Sequence, residues 1–120
     1  MILAVLDDLL FTSKIRATAT QLGLSVSFAR SQQAALTMLR DSPPTLVVLD
    51  LNNPRTEPLA IVEAMQADPA LRIIPTLGFA SHVQTDLIDA ARSAGVTQVI
   101  ARSAFAQHLP ELLMSGPSAS

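Results

Sequence analysis

The chain has 120 residues and a mass of 12.7 kDa, the size of one domain with its own hydrophobic core. It contains no cysteine, which excludes disulfides, zinc–thiolate sites and thiol catalysis. A net charge of −2, with 15% charged and 3% aromatic residues, provides neither the basic field nor the stacking surface that nucleic acids need. The apolar N-terminal run MILAVL stops at Asp7, too soon for a signal peptide or a membrane span. We therefore expect a cytoplasmic domain that binds neither nucleic acid nor membrane.

Short apolar runs alternate with segments of helical periodicity along the first half of the chain. Residues 2–6 are continuously apolar, which is typical of a strand covered on both faces of a parallel sheet. A helical pattern follows and stops at Gly23, where a glycine commonly ends a helix. Residues 25–29 alternate like an edge strand. Ser31 is placed to cap a second helix, which ends before Pro43.

The same alternation continues through the second half. Residues 45–49 form another continuous apolar run, which ends on Asp50 and is followed by a loop and a helix. Residues 73–79 predict a further buried strand. A helix closed by Gly95 then leads to a short strand over residues 98–101.

The final apolar segment has two interpretations. Pro110 fits badly inside a helix that begins at Ser103, so a very short helix that starts near Pro110 is the alternative. Residues 112–114 cannot all face one core from so short a helix. They indicate either a contact with a partner or a second copy of the chain, or an ordinary core with a frayed end. We expect one domain over residues 1–114 and a flexible tail over residues 115–120.

Five strands that alternate with five helices predict an α/β fold. Short connections and right-handed crossovers favour a flavodoxin-like (βα)5 fold, a doubly wound parallel sheet with strand order 2-1-3-4-5. In this order, the ligand site lies where the carboxyl ends of the first and third strands meet. Asp7 and Asp8 follow the first strand and Asp50 ends the third, so the predicted topology brings three carboxylates to this edge.

Three converging carboxylates repel each other unless a cation joins them. Ligands that are all oxygen suit Mg²⁺, which keeps several waters and also binds phosphate oxygens. A carboxylate beside such an ion can attack phosphorus and form an aspartyl phosphate. The alternative is three solvated acids at strand ends, but their convergence at the switch point of the sheet favours a functional site.

The segments around these acids resemble the receiver domains of two-component response regulators, and the resemblance extends over residues 1–114. VLDDL is similar to the family's acidic pair, and VVLDLNNP is similar to its phosphoacceptor segment. The resemblance implies that Asp50 is the phosphoacceptor. It also implies that Asp8, Asp50 and the Asn52 carbonyl hold Mg²⁺, with Asp7 orienting a metal-bound water. The implied partners are a histidine kinase or phosphotransferase and a downstream signalling protein.

The chain departs from the family pattern at three positions. Ala80 stands in place of the Thr or Ser after the fourth strand, Arg102 in place of the Lys after the fifth, and Val99 at the aromatic position of the fifth. Ala80 offers no donor to a phosphoryl group, and Ser81 would point to the opposite face of an extended chain. Arg102 keeps a positive charge but is not equivalent to Lys. An ordinary surface arginine is the alternative interpretation of Arg102.

Two functions therefore remain open. The first is a single-domain receiver that accepts a phosphoryl group on Asp50 with Mg²⁺ and signals by binding a partner. The second is an unphosphorylated pseudo-receiver that acts as a protein-interaction or homodimerisation module. The intact acids favour the first function, whereas Ala80, Val99 and Arg102 favour the second. No nucleophile–base pair supports a hydrolase on this fold, so we do not expect an enzyme.

Overall fold

Five parallel strands form one sheet in the computed structural model, which describes residues 1–81 and 85–115. The strands are β1 (Ile2–Val5), β2 (Val26–Ala29), β3 (Leu46–Asp50), β4 (Thr76–Ala80) and β5 (Gln98–Ala101). Their order across the sheet is β2-β1-β3-β4-β5, and each neighbouring pair is parallel. This is the flavodoxin-like order that the sequence predicts.

Helices cover both faces of the sheet. Over the described residues they are α1 (Leu9–Leu22), α2 (Gln32–Asp41), α3 (Pro58–Gln66), α4 (Thr85–Ala94), α5 (Arg102–Gln107) and α6 (Leu109–Ser115), with a 3₁₀ turn at Pro54–Thr56. One core layer packs α2, α3 and α4 against one face, and a second packs α1, α5 and α6 against the other. Alternate residues of a central strand therefore enter different core layers, which explains its continuous apolar sequence. No helix in the described ranges is long and apolar enough to cross a membrane.

Local sequence signals set several helix ends. The Asp8 carboxylate caps α1 and accepts hydrogen bonds from the backbone N–H groups of Leu10 and Phe11 at 2.9 and 3.1 Å. Gly23 ends this helix with a left-handed φ of 71°, a conformation that glycine adopts readily. Ser31 caps α2, as the sequence predicts, by accepting from Ala34 N–H. The cap on α1 fixes Asp8 at the end of the short loop between β1 and α1.

The fourth strand and the last apolar segment differ most from the sequence-based expectation. The fourth strand begins at Thr76, and Ile73 lies before it in a turn with 79% of its surface exposed. The last apolar segment forms two helices, so the chain has one helix more than predicted in its described part. The break falls at His108, and Pro110 takes the second position of α6, where its missing N–H leaves no helical hydrogen bond unmade. Ser115 is the last residue of α6, and residues 116–120 lie outside the described ranges.

Candidate functional site

Three carboxylates and one guanidinium gather at the carboxyl edge of the sheet. Asp7 and Asp8 follow β1, Asp50 is the last residue of β3, and Arg102 directly follows β5. The Asp50 side chain is only 5% exposed, whereas Asp7 and Asp8 are about one-third exposed. The strand order alone brings these residues together, because β1 and β3 are neighbours and β5 ends at the same edge.

The Asp50 carboxylate is the buried centre of this site. Its Oδ1 accepts a hydrogen bond from Asn52 N–H at 3.0 Å and another from Arg102 Nη2 at 3.2 Å. Burial raises the pKa of Asp50, and the Asn52 hydrogen bond and the Arg102 charge oppose that rise. The nearby Asp8 and Asp7 charges raise the pKa of Asp50 further. The folded chain therefore keeps this carboxylate in surroundings that disfavour its charged form.

Arg102 joins the acids to an aromatic cluster. Its Nη1 lies 3.7 Å from Asp8 Oδ2, in addition to the hydrogen bond to Asp50. The guanidinium carbon lies 5.1 Å from the ring centre of Phe11 and 5.3 Å from that of Phe79, within cation–π distance. Phe79 stacks in turn on Phe105 at 4.3 Å. Arg102 thus lies inside the acidic site, with charges on one side and rings on the other.

Asp7 is held by two residues that the sequence analysis did not single out for the site. The Asn53 side-chain amide donates a hydrogen bond to Asp7 Oδ1, and Arg55 Nη1 lies 3.7 Å from Asp7 Oδ2. Asn53 also accepts from Arg55 N–H at 3.0 Å and so caps the 3₁₀ turn. Asn53 is recognisable in the sequence only as a turn residue. Its contact with Asp7, 46 positions away, has no sequence signal.

Asn52 connects the loop after β3 to the chain after β4. While its N–H donates to Asp50, its side-chain Oδ1 accepts a hydrogen bond from Ser81 N–H at 2.7 Å. Ala80, which ends β4, is fully buried and presents only a methyl group. Val99 is also buried, in β5. Among the described contacts, Asn52 therefore provides a polar connection between the loop after β3 and the chain after β4.

Solved structures of response-regulator proteins have the same architecture. The phosphorylated cyanobacterial phytochrome response regulator RcpA matches with a TM-score of 0.80 and 24% identity, over 95% of this chain and 88% of that chain. Chemotaxis response regulator CheY4 of Vibrio cholerae matches with a TM-score of 0.83 and 18% identity, over 95% of each chain. The chain has the receiver-domain fold. At these identities the likeness shows the fold alone.

Two further comparisons bear on the receiver fold. The Mn²⁺-bound form of response regulator Rcp1 matches with a TM-score of 0.81 and 18% identity, over 99% of this chain and 97% of that chain. A protein of the same fold thus binds a divalent metal. A scan against protein-family models and a search of curated proteins find no match to this sequence.

The oxygen donors of this receiver fold suit a hard divalent cation. The Asp8 and Asp50 carboxylates lie close to each other, Asp50 also contacts the Asn52 backbone, and such oxygen ligands are typical of Mg²⁺ and Mn²⁺ sites. Within residues 1–81 and 85–115, no group of three or more His, Cys, Asp or Glu side chains is arranged to hold a metal ion. The donors therefore fit in chemistry, but the guanidinium of Arg102 already contacts one oxygen of each carboxylate.

Proposed function

We propose that residues 1–114 form a receiver that accepts a phosphoryl group on Asp50. One observation carries the proposal: Asp50 is the buried last residue of β3, at the switch point of a receiver fold. One of its carboxylate oxygens accepts hydrogen bonds from a backbone N–H and from a guanidinium. The Asn52 and Arg102 hydrogen bonds both end on Oδ1. We therefore assign Oδ2 as the attacking oxygen.

The donor in this proposal is a phosphohistidine of a histidine kinase or phosphotransferase. An oxygen of Asp50 forms the new bond to phosphorus while the bond from phosphorus to the imidazole nitrogen breaks. The imidazole leaves with the electron pair of that bond, and because its other ring nitrogen already carries a proton, it leaves as neutral imidazole. The product is an aspartyl phosphate, which adds negative charge to a site that already holds three acids.

Several residues have roles in this transfer. Mg²⁺ would be held by Asp8, Asp50 and the Asn52 carbonyl and would supply positive charge to the phosphoryl oxygens, with Asp7 placed to orient one of its waters. The Asn52 N–H holds Asp50 in place. Arg102 pairs with the phosphoryl group, because a guanidinium makes two parallel hydrogen bonds to such oxygens. Ala80 has no donor, so we expect phosphorylation to move β4 and β5 less than in receivers with the full residue set.

The output of this receiver is binding to a downstream signalling protein, without an enzymatic activity of its own. We also propose that the protein is cytoplasmic and that it binds neither nucleic acid nor membrane. A contact of α6, where Met114 is 65% exposed, with that partner or with a second copy of the chain is part of the same proposal.

Intact-mass measurement tests the phosphoryl transfer. The chain is incubated with Mg²⁺ and acetyl phosphate, and separately with a phosphorylated histidine phosphotransferase. We expect a gain of one phosphoryl group in the wild type and none in Asp50→Asn. Asp41→Asn, which changes an exposed acid at the end of α2, should gain the group as the wild type does. No gain in the wild type, or an equal gain in Asp50→Asn, contradicts the proposal.

A pseudo-receiver is the second candidate, and the Arg102 ion pairs favour it. A guanidinium that already pairs with Asp50 and Asp8 can stabilise the site without phosphate or metal. In that case the chain binds its partner unphosphorylated, and the same mass measurement shows no gain with either donor. Asp50→Asn would then bind the partner as strongly as the wild type in a pull-down.

A further inference from the structure

Arg102 places a permanent positive charge between Asp8 and Asp50, the two carboxylates proposed above as metal ligands. Nη2 lies 3.2 Å from Asp50 Oδ1, and Nη1 lies 3.7 Å from Asp8 Oδ2. The rings of Phe11 and Phe79 lie against the guanidinium, at 5.1 and 5.3 Å from its central carbon. Its side chain is 34% exposed, so solvent screens these contacts only in part. Arg102 is therefore an internal counter-ion of the acidic site.

The two oxygens of Asp8 have different partners. Oδ1 accepts the N–H groups of Leu10 and Phe11 and caps α1, whereas Oδ2 faces Arg102. Because Oδ1 already accepts the hydrogen bonds that cap α1, a metal that binds Asp8 would do so through Oδ2, the oxygen that Arg102 contacts. A guanidinium does not deprotonate in proteins, so Arg102 cannot release the two carboxylates by losing its charge. It can release them only by moving its side chain.

We infer that Arg102 competes with a divalent cation for Asp8 and Asp50, so that metal binding displaces the guanidinium. The inference rests on the proposed function, because it takes from it the assignment of these carboxylates as metal ligands. Two cations close to the same carboxylates repel each other, and the repulsion is larger for a divalent ion than for a monovalent one. Arg102 thereby sets how tightly this receiver holds its metal.

The structure offers the displaced side chain a place to go. A cavity of about 350 Å³ opens beside the guanidinium and is lined by Phe11, Ser81, Arg102, Ser103 and Ala106. Two of these residues carry hydroxyl groups that can accept hydrogen bonds from a guanidinium. Arg102 can therefore leave the carboxylates by rotating its side chain, without unfolding of α5.

Magnesium titration of matched variants tests the competition. Arg102→Gln removes the charge between the two carboxylates. Arg55→Gln removes an equal charge from the rim of the site, where the Arg55 side chain is 84% exposed and lies 3.7 Å from Asp7. Amide shifts of residues 7–9 and 50–53 give the Mg²⁺ affinity of each full-length chain. We expect Arg102→Gln to tighten Mg²⁺ binding about tenfold, and Arg55→Gln less than about threefold.

A measurement on the wild type supports the comparison if Arg102→Gln folds poorly. The Nε–H signal of Arg102 should shift during the titration with the same midpoint as the Asp50 amide. An Arg102 signal that stays fixed while the Asp50 amide moves overturns the inference. So does an Arg102→Gln affinity that is unchanged, or raised no more than that of Arg55→Gln.

The inference and the proposed function fail in different experiments. If the wild type accepts a phosphoryl group but binds Mg²⁺ with the same affinity as Arg102→Gln, only the inference fails. If neither the wild type nor Arg102→Gln accepts a phosphoryl group at saturating Mg²⁺, the proposed function fails. The ratio of the two Mg²⁺ affinities still tests the competition in that case. Absence of Mg²⁺ binding to both proteins overturns the inference together with the metal part of the proposed function.

Discussion

Gly78 in β4 lies against Leu51, the residue that follows the proposed phosphoacceptor. A methyl group added at Gly78 would come within 2.7 Å of Leu51 Cδ1 and 3.0 Å of its Cγ. Leu51 is only 3% exposed, so its side chain has little room to move away. We predict that Gly78→Ala lowers the free energy of unfolding by about 1–3 kcal/mol, the usual cost of overpacking a core. The same change should shift the amide signals of residues 50–52.

A double-mutant cycle isolates this contact. Leu51→Ala alone should cost about 2–5 kcal/mol, because it leaves a cavity over β4. In the double variant, the methyl group that Gly78→Ala introduces fills part of that cavity. The combined cost should therefore be below the sum of the single costs by about 0.5–3 kcal/mol.

Gly23→Ala is the matched control for the glycine change. Gly23 has φ 71° and no atom within 4 Å of an added methyl group, so its substitution costs about 1–2 kcal/mol of backbone strain alone. Its cost should add to that of Leu51→Ala within about 0.5 kcal/mol. Urea unfolding followed by far-ultraviolet circular dichroism suits a chain that has no Trp or Tyr. Full additivity of Gly78→Ala with Leu51→Ala, or no cost for Gly78→Ala, would refute the reasoning.

Substitutions at three further positions probe the site itself. Because burial raises the pKa of Asp50, the folded chain binds more protons than the unfolded chain as pH rises above the ordinary Asp value of 3.8, and wild-type stability falls there. Asp50→Asn in metal-free buffer should therefore gain stability over the wild type as pH rises through that window, which urea unfolding at several pH values checks. Asp8→Ala should cost about 1 kcal/mol through loss of the α1 cap, whereas Asp8→Asn, which keeps a capping oxygen, should cost much less in the same assay. Asn52→Ala should speed hydrogen exchange of the Ser81 amide, and an unchanged rate would show that this hydrogen bond does not protect it.

The strand order and the place of the acids could be predicted from the sequence. Central strands of a parallel sheet are buried on both faces, so residues 2–6 and 45–49 have a recognisable apolar pattern. Once the order is known, the carboxyl ends of neighbouring strands must meet, and this places Asp7, Asp8 and Asp50 at one edge. No side-chain detail enters this argument.

The contacts within the site could not be predicted in the same way. The hydrogen bond from Arg102 to Asp50 joins residues 52 positions apart and depends on how the side chain lies against Phe11 and Phe79. Sequence reasoning placed a positive charge at this edge but could not choose between a surface arginine and one paired with the acids. The tether from Asn52 to Ser81 depends in the same way on loop geometry, which periodicity does not encode.

The rings of Phe11 and Phe79 beneath Arg102 allow the position of its side chain to be followed by NMR chemical shift. Protons above the face of an aromatic ring are shielded by its ring current, so the side-chain protons of Arg102 should resonate upfield of their usual positions. The chain has four Phe and no Trp or Tyr, so few other rings contribute to such shifts. A guanidinium that leaves Phe11 and Phe79 loses this shielding, and its N–H signals move downfield. The position of Arg102 can therefore be followed in the unlabelled protein, without a dye or an introduced tryptophan.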